Sequence, residues 1–250
     1  MFTKVKTDSE IKAMREGGAM LATVLQMLKK TTTVGMNTKQ LADRAAKELS
    51  KLGGQPAFLD YQGFPDVLCV SVGEEVVHGI PRTDKIINAG DIVSVDFGVL
   101  YKGLITDAAL SFIVGNADKK VQALVSTTEE AMYTGIKKVK DGVKTGDIGY
   151  AIQSVLDTKG YGIVQDLVGH GVGHQLHEDP NVPNYGHPGT GDVVSSGMTI
   201  AIEPMATLGT YKVFVKEDNW TIVTQDGSWA AHFEHTVLIT DKGAEILTKI

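Results

Sequence analysis

The sequence predicts an α+β protein made of two related αβ halves about a pseudo-twofold axis, and three observations lead there. Apolar residues recur at helical spacing over 11–28 and 41–49, and alternating apolar strands occupy 67–72, 92–97 and 104–110. The second half of the chain also replays the first. With Gly35 laid on Gly142, an offset of 107, Thr38 meets Thr145, Leu41 meets Ile148, Gly90 meets Gly197 and Asp96 meets Glu203. AGDIVSVD at 89–96 and SGMTIAIE at 196–203 both read as small residue, glycine, alternating strand, acid.

A chain of 250 residues can bury a sizeable core as one domain, here with an N-terminal half over about 7–115 and a C-terminal half over about 116–250. The net charge is −6 and no block of Lys or Arg occurs, which argues against nucleic-acid and polybasic membrane partners. No apolar run approaches the roughly 20 residues of a membrane span. MFTKVKTDSE at the start lacks the apolar core of a secretory leader, so a cytoplasmic location is expected. The single cysteine, Cys69, excludes an internal disulfide and a multi-cysteine zinc site.

In chain order, Thr7-Asp8-Ser9-Glu10 has capping-box spacing and opens a helix that runs to about Lys30. A second helix is expected from Asn37-Thr38 to Gly53-Gly54, with Leu41, Ala45 and Leu49 on one face. Short strands follow, including Val67–Val72 and Ile92–Phe97. GDIVSVDFGVLYKGLITD at 90–107 then reads as a hairpin with its turn at Tyr101-Lys102-Gly103. A turn centred between Tyr101 and Lys102 places Asp96 directly opposite Asp107, with Cβ atoms about 5 Å apart. Two carboxylates facing each other in a half-buried sheet repel unless protons or cations lie between them. The alternative for such a pair is a solvated hairpin end.

Further acids reduce the weight of that alternative. Glu203 ends the repeated strand, and Glu234 is the next acid to end an apolar strand, so the second hairpin is expected to be longer than the first. Histidines of GHGVGHQLHEDP at 169–180 add nitrogen donors, and the glycines flanking His170 allow close backbone approach. Asp96, Asp107, Glu203 and Glu234 with His170 make a hard, oxygen-rich set suited to two divalent ions such as Mn, Fe or Co. Paired ions that share a water are a hydrolytic device. His177 and His78 read as donors to a substrate carbonyl or amide, while His174, His187, His232 and His235 read as structural or surface groups. Strand alternation turns His235 to the face opposite Glu234.

EEVVHGIP, VSVDFG, ITDAALSF, GHGVGHQLHEDPNVPNYG, MTIAIEPM and FEHTVLIT together resemble the methionine aminopeptidases, specifically the short bacterial type I enzymes, over about Thr7 to Lys249. The resemblance implies the pita-bread fold, two αβ halves around a central antiparallel sheet. It implies that Asp107 and Glu234 bridge two divalent ions (Co, Mn or Fe(II)), with Asp96 at one and His170 and Glu203 at the other. Glu203 would also handle the proton of the attacking water, with His177 donating to the scissile carbonyl and His78 lying near the peptide nitrogen. The implied substrate is the N-terminal methionine of nascent chains with a small second residue, met near the ribosome by a monomeric enzyme. An unbranched, polarisable methionine side chain calls for an apolar, aromatic pocket. Tyr61, Phe64, Cys69, Leu176 and Trp220, with Phe58, are similar in position to the family's pocket.

Several positions depart from the family pattern. Gln62 stands where many members have His, Leu176 where an aromatic is common and Gly73 where Asn is usual, and His174 makes the loop read HGVGH. The 31 residues from Glu203 to Glu234 leave no room for the helical insertion of type II enzymes, and no N-terminal zinc-binding extension is seen. Proline dipeptidases and X-Pro aminopeptidases of the same fold, or a non-catalytic peptide-binding module, are the competing readings.

Overall fold

The computed structural model describes residues 5–249. α1 (Asp8–Thr31) opens on a complete capping box, in which Thr7 Oγ1 accepts from Glu10 N and the Glu10 carboxylate accepts from Thr7 N. α2 (Thr38–Leu52) repeats the device with Asn37 and Gln40, and stops at Gly53 in the left-handed region (φ 85°). β1 (Gln55–Pro56), β2 (Cys69–Val72) and β3 (Glu75–Val77) lead to a long hairpin, β4 (Ile92–Tyr101) with β5 (Leu104–Ile113). Then come α3 (Lys119–Ile136), α4 (Thr145–Asp157), β6 (Gly162–Ile163), β7 (Gly169–Gly171), β8 (Glu178–Val182), β9 (Thr199–Ile202) and β10 (Met205–Thr207). β11 (Val213–Val215), β12 (Ile222–Thr224), β13 (Ala230–His232), β14 (His235–Thr240) and β15 (Gly243–Ile246) complete the order. No described helix is long and apolar enough to cross a membrane.

The β4–β5 hairpin turns on Lys102 (φ 50°) and Gly103 (φ 80°). Two positive φ values in a two-residue loop match the right-handed twist of the strands. The turn is therefore centred one residue later than expected. Asp96 lies opposite Ala109 and Asp107 opposite Gly98, so the two aspartates are diagonal neighbours rather than facing partners. The shift moves the pairing by two positions, which leaves both side chains on one face of the sheet. β2 also starts later than expected, at Cys69 rather than Val67.

The internal repeat is visible bond by bond. Gly35 N donates to Ile87 O as Gly142 N does to Val194 O, and Thr38 N to Lys85 O as Thr145 N to Asp192 O. Gly35 and Gly142, and Gly90 and Gly197, all have positive φ. The ladder Ile92–Val95 with Leu110–Ile113 recurs as Thr199–Ile202 with His235–Leu238, and continues as Met205–Thr207 with Ala230–His232 where the first half has Gly98–Leu100 with Ile105–Asp107. Glu203 therefore stands where Asp96 does. The second hairpin is longer, as expected, because β11 and β12 extend its tip. Its counterpart of Asp107, however, is His232, and Glu234 takes the place of Ala109.

The two sheets meet along β5. Ala109 and Glu234 exchange backbone hydrogen bonds of 3.3 and 2.8 Å. On one side of that pair Thr236 Oγ1 accepts from Asp107 N (2.9 Å) and donates to Asp107 O (2.7 Å). On the other side Ser111 Oγ accepts from His232 N (2.9 Å) and donates to His232 O (2.8 Å). Alternation along β4 sends Val93, Val95, Phe97 and Val99 into the main core with Leu21, Val24, Leu25 and Leu28 of α1. Ser94, Asp96 and Gly98 are left on the opposite face.

Candidate metal centre

On that opposite face the two halves enclose a cavity of about 410 Å³, which Asp96, Asp107, His170, Glu203 and Glu234 all line. Asp107, His170 and Glu234 offer ligand atoms that all lie within 4.8 Å of one another. Asp107 comes from β5, Glu234 from the link between β13 and β14 at the seam, and His170 from the middle of β7. Glu203 follows β9, with Oε1 3.3 Å from His170 Nε2. His170 Nδ1 is 2.9 Å from the Gly171 carbonyl, which can only accept, so the neutral ring carries its proton on Nδ1. Its Nε2 lone pair then faces a carboxylate oxygen. Two acceptors held that close require a cation or a proton between them.

Burial dominates the titration of these groups. It drives Asp96, Glu203 and Glu234 well above the usual carboxylate range, with neighbouring carboxylates adding to the effect, and it raises Asp107 to about 7. It also lowers His170 to about 3, so the ring is neutral and available as a ligand. Asp96 Oδ1, Asp107 Oδ1 and Glu234 Oε1 are buried without a hydrogen-bond partner among the described residues. Orphaned acceptors of this kind cost about 1–3 kcal/mol each, more when charged. A hard divalent cation is the group that satisfies them, and the donor set fits one.

The other predicted residues surround this centre. Phe58, Phe64, Cys69 and Leu176 form a buried cluster with Tyr61 and Trp220 packed against it. Phe64 and Trp220 meet edge to face, with ring centroids 5.1 Å apart. Cys69 pairs with Asp96 in the β2–β4 ladder, which joins this apolar wall to the acids. Burial pushes the Cys69 thiol well up, so it acts there as a small apolar group. His177 is exposed to the cavity, with its ring 4.4 Å from that of His170 and its Nδ1 2.9 Å from the Tyr61 hydroxyl. His78 adopts a left-handed backbone (φ 57°) at the end of β3 and packs near Trp220, and burial lowers it to about 4.

Of the histidines read as structural or surface groups, His232 is not at the surface. It is 1% exposed, lines the cavity and places Nε2 3.8 Å from Glu203 Oε2. The sequence signal that could have found it lies in the repeat, once the second strand of each hairpin is given its own offset. His235 does turn away from Glu234, with Nδ1 2.8 Å from Thr248 Oγ1 and Nε2 3.3 Å from the Tyr133 hydroxyl. His187 is exposed, and His174 Nε2 sits 2.7 Å from the Glu10 carboxylate.

Comparison with known proteins places these features in context. The profile of metallopeptidase family M24 matches residues 12–241. A methionine aminopeptidase of Clostridium acetobutylicum is 45% identical over 245 residues, covering 98% of each chain. The crystal structure of a methionine aminopeptidase from Thermotoga maritima superposes with a TM-score of 0.98 at 48% identity, covering 100% of both chains. A prolidase from Pyrococcus furiosus, 24% identical with a TM-score of 0.80, covers 99% of this chain and 66% of that one, and shares the fold alone.

Proposed function

The chain belongs to metallopeptidase family M24, with the pita-bread fold, and we propose that it removes the N-terminal methionine from peptides and nascent proteins, favouring a small second residue. Asp107, His170 and Glu234 within reach of one another, beside an aromatic pocket, carry this reading. Asp96 and Asp107 would hold one divalent ion, His170 and Glu203 the other, with Asp107 and Glu234 shared between them. Two divalent cations balance the four negative charges of these acids, which supports two ions rather than one. Such ions supply Lewis acidity and lower the pKa of a shared water towards neutrality.

The residues of the chain do the remaining work. The methionine side chain lies among Tyr61, Phe64, Cys69, Leu176 and Trp220, and its free amine at the Asp96 end. A longer N-terminal extension has no place there, so one residue leaves at a time. Glu203, which lines the cavity beside the other acids, would take the proton of the attacking water and pass it on. With Tyr61 donating to His177 Nδ1, the neutral ring presents Nε2–H to the scissile carbonyl oxygen. His78 supports the departing nitrogen.

The 250 residues act as one catalytic unit whose halves, about 7–115 and 116–250, both contribute ligands. A cytoplasmic location and action on chains emerging from the ribosome accord with this substrate, and we read the protein as a monomer. The test is hydrolysis of Met-Ala-Ser, Leu-Ala-Ser and Ala-Pro by metal-stripped protein titrated with Mn(II), Co(II) or Fe(II). Metal-dependent release of Met from the first peptide alone is expected. Cleavage of Ala-Pro instead would assign the chain to the proline-specific relatives, and metal uptake without any cleavage would leave a peptide-binding module.

A further inference from the structure

We infer that His232 is a positioning residue for Glu203, an imidazole that holds the second oxygen of the carboxylate and fixes the direction in which the first is presented. The inference rests on the metal-centre reading above and adds a sixth side chain to it. Glu203 lies between two imidazoles, with Oε1 3.3 Å from His170 Nε2 and Oε2 3.8 Å from His232 Nε2. His170 has its proton tied to the Gly171 carbonyl and offers Glu203 only a lone pair. His232 has no such tie, because neither Nδ1 nor Nε2 has a hydrogen-bond partner among the described residues. It is therefore the imidazole able to donate an N–H to Glu203. A movement of less than 1 Å turns 3.8 Å into a hydrogen bond.

Two further features make this placement more than incidental. The backbone of His232 is held at both ends by the Ser111 hydroxyl, which accepts from its N–H and donates to its carbonyl. The same two-bond clamp, made by Thr236, holds Asp107. His232 and Asp107 are also counterparts in the repeated ladder, opposite Met205 and Gly98 respectively. The fold thus builds two equivalent, doubly clamped positions facing the acids. One carries a carboxylate and the other an imidazole.

Wild type, His232→Ala and His232→Gln are prepared metal-free and titrated with Co(II), following uptake by calorimetry and visible absorption, with peptide hydrolysis and thermal melting in parallel. Gln retains an N–H donor of similar reach. We expect all three to melt alike and bind the same number of ions, and the Ala variant to show an altered Co(II) spectrum. Its kcat should fall about 10–100-fold with KM within about twofold, while Gln recovers most of the loss. An Ala variant with wild-type spectrum and kcat, or a Gln variant as impaired as Ala, overturns the inference while leaving the metal centre intact. Absence of Co(II) uptake by wild type would instead remove the metal centre and the inference together.

Discussion

At the scale of the residue, the site depends on acids and imidazoles set in the wall of one cavity. Glu203→Gln preserves shape but cannot accept a proton, so turnover of the metal-loaded variant should fall about 10²–10⁴-fold. Steady-state kinetics on a metal-loaded sample decides this, and near-normal activity would remove Glu203 from the proton-handling role. Metal uptake should also be linked to pH. Asp107, raised to about 7 in the metal-free protein, must lose its proton to act as a ligand, whereas His170 near 3 has none to lose on the ligating nitrogen above about pH 4. Apparent affinity therefore rises with pH through neutrality, and protons are released on binding. Calorimetry in buffers of different ionisation enthalpy measures that release; none between pH 6 and 7 would contradict the raised carboxylate.

At the scale of the element, the same capping device opens both helices of the first half. Asn37 Oδ1 accepts from Gln40 N and Gln40 Oε1 from Asn37 N, so Asn37→Ala should cost about 1 kcal/mol in urea unfolding with little change in metal binding. The hairpin tip is more consequential. Gly103 at φ 80° tolerates no β-branched side chain without strain, so Gly103→Val should cost about 1–3 kcal/mol or move the turn. A one-residue slip of β5 would carry Asp107 to the core face. Metal uptake in that variant should fall further than its stability loss accounts for, and intact uptake would show that the ladder, not the turn, fixes the register.

At the scale of the whole molecule, the site exists because two sheets are sewn together at Asp107, Ala109 and Ser111. Thr236→Val removes the partner of both backbone groups of Asp107, leaving a buried donor and acceptor unsatisfied. A stability loss of about 1–3 kcal/mol is expected, with weaker metal loading, and Thr236→Ser should restore both. Equal behaviour of the Val and Ser variants would deny the hydroxyl this role. The seam also explains why the pocket is apolar on one side and acidic on the other. β2 brings Cys69 beside Asp96 from one half, while β7 and the chain after it bring His170 and Leu176 from the other.

The sequence by itself determined the first two helices and their caps, the alternating strands, the repeat and the identity of the acids, because caps, periodicity and buried charge are local chemical statements. Asp96 and Glu203 were legible as equivalents because nothing intervenes between repeat and strand. Tertiary structure decided the rest. The hairpin register depended on which two residues of the turn take positive φ, and YKGL permits more than one centring. The place of His232 depended on a ladder that resumes only after the excursion through β11 and β12, so its neighbour in space lies far away in sequence. Long-range pairing sets such contacts, and a side chain with both nitrogens unpartnered is recognisable only once its surroundings are closed around it.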